Sequence, residues 1–135
     1  MITDSHIKDH DGWNGYKKKL DVQTAPRTIY FYKREVWFCS IGHNVGFEED
    51  GKGCEYGRPV VIIKRCGPNL FIGVPLTSQI KPKYYFGVGE VKKKAAMAMV
   101  AQIRMFSSKR LINKIDILPI PVFIALKKAV KKFIF

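Results

Sequence analysis

The sequence predicts a mainly β domain with helical additions, an α+β fold built on a small and strongly bent barrel. Three observations carry this. Short runs rich in β-branched and aromatic residues follow one another from Ile29 to Met105, with turn formers between them. Gly87 and Gly89 fall inside one such run, where a small barrel has to bend. The last stretch then changes to a helical period, with Val122, Leu126, Ala129, Val130 and Phe133 on one face and Lys127, Lys128, Lys131 and Lys132 on the other.

At 135 residues with 47% hydrophobic side chains, the chain has enough apolar material for one core of its own. Residues 1–28 stand apart as a polar extension. Trp13, Tyr16 or Lys17, and Leu20 share a helical face there, weakened by Gly12 and Gly15. The expected division is therefore this extension followed by a barrel domain at 29–135.

In the barrel domain, Ile29 to Tyr32 lead into Glu35-Val36-Trp37-Phe38-Cys39-Ser40-Ile41, a first main strand that stops at Gly42. A glycine-rich loop that includes Glu48, Glu49 and Asp50 runs from Gly42 to Gly57, a candidate lid because loops of this length are commonly functional. Pro59 to Lys64 and Leu70 to Leu76 read as two apolar strands of a hairpin joined by Arg65-Cys66-Gly67-Pro68-Asn69. Pro59 suits a strand start, where no ladder donor is lost. Everything after Met105 reads as helix: Ser107 or Ser108 caps a short turn through Ile112, and Pro119 or Pro121 opens the longer helix.

Twenty-four Lys and Arg against 11 Asp and Glu leave a formal charge of +13, which attracts polyanions: nucleic acid, anionic lipid or an acidic protein. Cys39, Cys54 and Cys66 form an odd set without Cys-x-x-Cys spacing. Neither a disulfide framework nor a zinc site is indicated, and no metal or other cofactor is expected. His6 and His10 read as an ordinary surface pair. The start Met1-Ile2-Thr3-Asp4-Ser5 has neither a basic region nor an apolar stretch, and no apolar run spans a bilayer, so a soluble, cytoplasmic protein with no membrane partner is expected.

The most informative chemistry lies at two strand ends. Arg58 opens the strand Pro59-Val60-Val61-Ile62-Ile63, and the next strand ends in Pro75-Leu76-Thr77-Ser78. A guanidinium and a hydroxyl at adjacent strand ends can converge on one phosphate.

Several blocks, taken in order, resemble the PemK/MazF-like toxins of bacterial type II toxin–antitoxin modules. They are Val36-Trp37; Gly42 with Asn44-Val45-Gly46 and Glu48; Arg58-Pro59-Val60-Val61-Ile62-Ile63; Val74-Pro75-Leu76-Thr77-Ser78-Gln79; and Gln102-Ile103-Arg104 with Lys109-Arg110-Leu111. The resemblance runs from about Arg34 to the C-terminus. It implies an SH3-like barrel with helices, a homodimer, a cognate antitoxin whose complex with the toxin binds DNA, and metal-independent cleavage of single-stranded messenger RNA at short sequences. By position, Arg58, Thr77 and Glu48 look like the family's catalytic arginine, strand-end hydroxyl and loop glutamate, with Ser78 and Gln79 as neighbours. The chain departs from the family in the segment before Arg34, in the residues inserted between Glu48 and Arg58, and in Ser107-Ser108 where an aspartate is common.

RNA carries its own nucleophile, the 2′-hydroxyl. Cleavage needs a base for that proton, cationic stabilisation of the phosphorane, and an acid for the departing 5′-oxygen. On this reading Glu48 is the base, Arg58 stabilises charge and supplies the leaving-group proton, and Thr77 bonds a non-bridging oxygen. His43 can replace either acid–base partner. Lys81, Lys83, Lys92, Lys93 and Lys94 would draw in the RNA backbone, and Tyr84 would stack an unpaired base, with Tyr85 or Phe86 as further candidates. The alternative from another class is a non-catalytic barrel that binds a protein target such as gyrase. A membrane-active C-terminal helix is a third reading, weighed against a helix whose apolar face closes the barrel.

Overall fold

The computed structural model describes residues 29–41, 57–79 and 85–135. The expected N-terminal helix and the glycine-rich loop therefore lie outside the described residues. Seven strands form one strongly curled antiparallel sheet: β1 (Glu35–Ser40), β2 (Gly57–Gly67), β3 (Leu70–Thr77), β4 (Tyr85–Val91), β5 (Lys94–Met99), β6 (Arg104–Ser107) and β7 (Leu111–Ile117). One helix, α1 (Ile120–Ile134), follows. The order across the sheet is β4-β5-β3-β2-β1-β7. β6 pairs with the first half of β3, while β5 pairs with its last two residues. β3 is thus shared between two partners, and the sheet curls around it.

Both faces of β1 and of the first half of β2 are buried, as the near-continuous apolar run Pro59 to Ile63 demands, while Lys64, Arg65 and Cys66 at the end of β2 are exposed. Val36, Val61, Val74 and Leu76 face α1, which contributes Phe123, Leu126 and Val130. Trp37, Cys39, Val60 and Ile62 face the other way into a cluster with Phe31, Phe71 and Phe106. There Phe71 lies 5.4 Å from both Phe31 and Phe106, tilted on the first and stacked on the second. A fully buried phenylalanine flanked by two rings is a large contribution to a core of this size.

The expected α+β class and bent barrel are found, with one element misread. Leu111–Ile117 is not helix but strand β7, the antiparallel neighbour of β1. Two register irregularities break its pairing, so its apolar residues do not alternate cleanly, and a sheet edge asks for less burial. The expected Ser107 cap exists: its hydroxyl accepts from the Lys109 N–H at 3.2 Å, but it caps only the short 3-10 turn Ser108–Arg110. The β2–β3 hairpin is tighter than expected, because β2 runs on to Gly67 and only Pro68-Asn69 form the turn. The bend in β4 belongs to Gly89, whose φ of +83° coincides with a register shift, whereas Gly87 takes no left-handed backbone.

In α1, Pro119 is the residue before the first turn and Pro121 lies within it. Leu126 and Val130 are buried as expected, and Val122 packs beside them. The face is rotated toward Phe123, with Lys127 over its ring at 5.3 Å, and Phe133 is 42% exposed rather than buried. The helix covers the barrel through its apolar face, as favoured over a membrane role. No helix among the described residues is long and apolar enough to cross a membrane.

Two polar side chains, one buried and one half-buried, anchor the ends of β1. At its start, Glu35 Oε1 accepts from Trp37 Nε1 at 3.0 Å and from the Tyr32 N–H at 2.9 Å, while Oε2 pairs with Lys114 of β7 at 3.0 Å. At its end, Arg110 Nη1 donates to the carbonyls of Ser40 and Ile41. Burial, with Arg104 nearby, pulls the Arg110 guanidinium below its ordinary value.

The thiol of Cys39 is fully buried, and that burial pushes its pKa far above the ordinary value even though Arg110 and Arg104 pull the other way. Cys66 is exposed. In the native state an alkylating reagent is therefore expected to modify Cys66 quickly and Cys39 only after unfolding, as read by mass spectrometry of the peptides. Equal labelling of the two would show that this face of the barrel opens readily.

Candidate active site

Antiparallel pairing places Val60 opposite Pro75 and Val61 opposite Val74. Continued by two residues, the same register sets Arg58 beside Thr77. The strand end that carries the guanidinium thus meets the strand end that carries the hydroxyl, as the sequence suggests. Both side chains are largely buried, with 6% and 8% exposure.

Arg58 Nη1 donates to the carbonyl of Leu76 at 3.1 Å, which holds the planar fork against β3 one residue before Thr77. The Thr77 hydroxyl accepts from the Gln79 N–H at 3.2 Å. That bond uses a lone pair of the oxygen and orients it, leaving its proton to donate to a ligand oxygen. The backbone at Gly57 makes room for this arrangement. A Cβ there would meet the Phe38 ring at 2.1 Å, so only glycine lets that ring lie against the start of β2.

These residues open onto a cleft of about 440 Å³ whose lining includes Arg58, Thr77 and Ser78. Phe38, Pro59, Leu76 and Ile115 make its apolar wall, and Lys92 and Lys94 reach it from the β4–β5 turn. Val91 pairs with Lys94, so Lys92 and Lys93 are the two central residues of that hairpin, and both have positive φ, 50° and 66°. A two-residue turn of this kind normally carries Asn-Gly, because side chains are strained there. Asp116 of β7 supports it, accepting the Lys92 N–H at 2.9 Å.

Of the residues singled out from sequence, Arg58, Thr77, Ser78, Lys92 and Lys94 come together in one cleft. Gln79 lies beside it through its bond to Thr77. Lys93 is exposed on the same turn without lining the cleft. Glu48, His43, Lys81, Lys83 and Tyr84 lie outside the described residues. Phe86 packs against the core under α1 and is not a free stacking ring. Sequence reasoning missed Phe38, Ile115 and Asp116: the first looks like any strand aromatic, and the other two sit in the strand misread as helix. Among the described residues no three His, Cys, Asp or Glu side chains gather as a metal site would require.

Solved structures with the same fold include MazF from Deinococcus radiodurans, with a TM-score of 0.65 and 13% identity over 78% of this chain and 97% of that one. An endoribonuclease in complex with its cognate antitoxin from a mycobacterial species matches at a TM-score of 0.58 and 11% identity, covering 78% and 95%. The Mycobacterium tuberculosis toxin MazF-mt6 matches at 0.56 and 14% identity, covering 73% and 94%. Among curated proteins none matches the chain in sequence. Identities this low speak for the fold alone, but over residues 32–134 the sequence itself matches the PemK-like, MazF-like toxins of type II toxin–antitoxin systems, and the chain belongs to that family.

Proposed function

We propose that this toxin is a metal-independent endoribonuclease that cuts single-stranded messenger RNA at short sequences through attack of the 2′-hydroxyl on the adjacent phosphate. The observation that carries the reading is the Arg58 guanidinium, bonded to the Leu76 carbonyl and held beside the Thr77 hydroxyl at the head of an open cleft. A largely buried arginine beside a strand-end hydroxyl suits a phosphorane, whose charge is spread over oxygens that both groups can reach. Arg58 stabilises that charge and delivers the proton of the departing 5′-oxygen, and Thr77 bonds a non-bridging oxygen. Glu48 takes the 2′-hydroxyl proton, with His43 as the other candidate on the same loop. Strain at Lys92 and Lys93 supports a binding role for that turn, since a lysine pair kept where Asn-Gly fits better has a use for its charge.

The proposed substrate is single-stranded RNA, drawn in by Lys81, Lys83, Lys92, Lys93 and Lys94 and contacted by Ser78, Gln79 and Tyr84. The proposed protein partners are a cognate antitoxin and a second copy of the chain, with the toxin domain at 29–135 preceded by the extension at 1–28. Messenger RNA as substrate implies action in the cytoplasm.

Purified protein incubated with a long single-stranded RNA in EDTA is expected to cut it repeatedly at one short sequence, leaving 2′,3′-cyclic phosphate or 3′-phosphate ends. Intact RNA after incubation with folded protein would overturn the nuclease reading and favour a toxin that binds a protein target.

A further inference from the structure

We propose that a second, cationic groove at the far end of β2 binds the single-stranded RNA beyond the scissile segment. This rests on the nuclease reading above. The groove, about 780 Å³, lies between the turn before β1, the end of β2, and α1, and it is lined by Lys33, Arg34, Lys64, Arg65 and Lys127. Its one carboxylate, Glu35, is already engaged by Trp37, the Tyr32 N–H and Lys114. None of the five groove cations pairs with a carboxylate among the described residues, so their field is available to an external polyanion.

Ring faces distinguish the occupant. The Arg65 guanidinium lies 5.1 Å from the Phe31 ring and 5.8 Å from the Tyr32 ring. Tyr32, which lines the groove, is 51% exposed, and Tyr30, two positions earlier in the chain, is 67% exposed. Exposed aromatics interleaved with cations are what single-strand binders offer: rings for unpaired bases and charges for the backbone. An acidic peptide would need the charges but not the rings.

The platform is also held in place. Arg34 sits at φ 77°, left-handed for a non-glycine residue. It is held there by its N–H to the Ile62 carbonyl, its carbonyl to the Leu118 N–H, and its Nε to the Leu118 carbonyl. Arg58 and Lys64 are six positions apart on one strand, roughly 20 Å at the usual rise per residue. A short RNA that fills the cleft therefore leaves the groove empty, whereas a longer strand can occupy both.

The test uses the full chain and two single-stranded RNAs, one just covering the cleavage sequence and one extended on both sides. In an Arg58→Ala background, Lys33→Gln/Lys64→Gln/Lys127→Gln is expected to reduce the salt dependence of long-RNA affinity by about 2 in log–log slope, the value for three lost phosphate contacts. Tyr32→Ala should weaken long-RNA binding roughly tenfold, as loss of one stacked base would. With Arg58 present, the lower KM of the long RNA over the short one should vanish in the triple variant. Unchanged slope and affinity overturn the groove, as does an equal loss on the short RNA. Binding of long RNA that depends on the groove in a protein that cuts nothing would support this proposal while refuting the nuclease reading. Cleavage that ignores the groove variants would do the reverse.

Discussion

Arg58→Ala is expected to lower RNA cleavage by about a hundredfold to a thousandfold, the usual loss when one preorganised donor to a developing oxyanion is removed. The side chain is 6% exposed and bonded to the Leu76 carbonyl, so its removal also leaves a carbonyl without that donor and creates space at the strand end. A destabilisation of about 1–2 kcal/mol is the accompanying cost. The two effects separate by measurement. Thermal or urea unfolding reports the fraction folded, and single-turnover cleavage reports chemistry on that fraction. Arg58→Lys sharpens the comparison, because an ammonium keeps the charge but cannot donate two parallel bonds to two phosphate oxygens. It should recover part of the stability and little of the rate. Cleavage by folded Arg58→Ala within about tenfold of the parent would remove the guanidinium from the chemistry as assigned.

Glu35→Ala is expected to be the most damaging change outside the cleft, costing about 3 kcal/mol of folding free energy. The carboxylate serves three donors at once: a buried indole N–H, a half-buried backbone N–H and the exposed Lys114. Truncation strands the Trp37 indole N–H in a buried position at a desolvation cost, and removes the acceptor of the half-buried Tyr32 N–H. It also uncouples β1 from Lys114 of β7, an ion pair whose exposed half limits its value to about 1 kcal/mol or less. Glu35→Gln keeps an oxygen for the two N–H groups and loses only the ionic part, so about 1 kcal/mol is expected. Urea titration decides it: the midpoint should fall in this order with little change in slope. Equal midpoints for Glu35→Ala and the parent would show that the turn before β1 holds without this anchor.

How well each part could be read from sequence tracked how local its signal is. The hairpin of β2 and β3 was readable because both strands are short apolar runs around Pro68-Asn69, but its register was not, since irregularities between Ile62 and Lys64 and between Arg65 and Gly67 displace the pairing. That the Arg58 and Thr77 strand ends meet was readable, since two ends of one hairpin must lie side by side, whereas the register that sets these two residues together depends on the same irregularities. β7 was not: Leu111–Ile117 pairs with a strand 72 to 82 positions earlier, and no local pattern records that partner. The role of Glu35 was equally hidden. In sequence it is one acidic residue at a strand start, and only the approach of Trp37, Tyr32 and Lys114 makes it an anchor.

The sequence by itself determined the class of fold, the family, the basic character and the pair of side chains at the head of the cleft, because each rests on composition, on the order of blocks along the chain, or on neighbours within about 20 positions. The tertiary structure alone decided which lysines reach that cleft, which aromatics are core and which are open, and where five cations gather at the other end of β2. Those depend on the curl of the sheet around β3 and on the packing of α1, which bring together residues far apart in the chain.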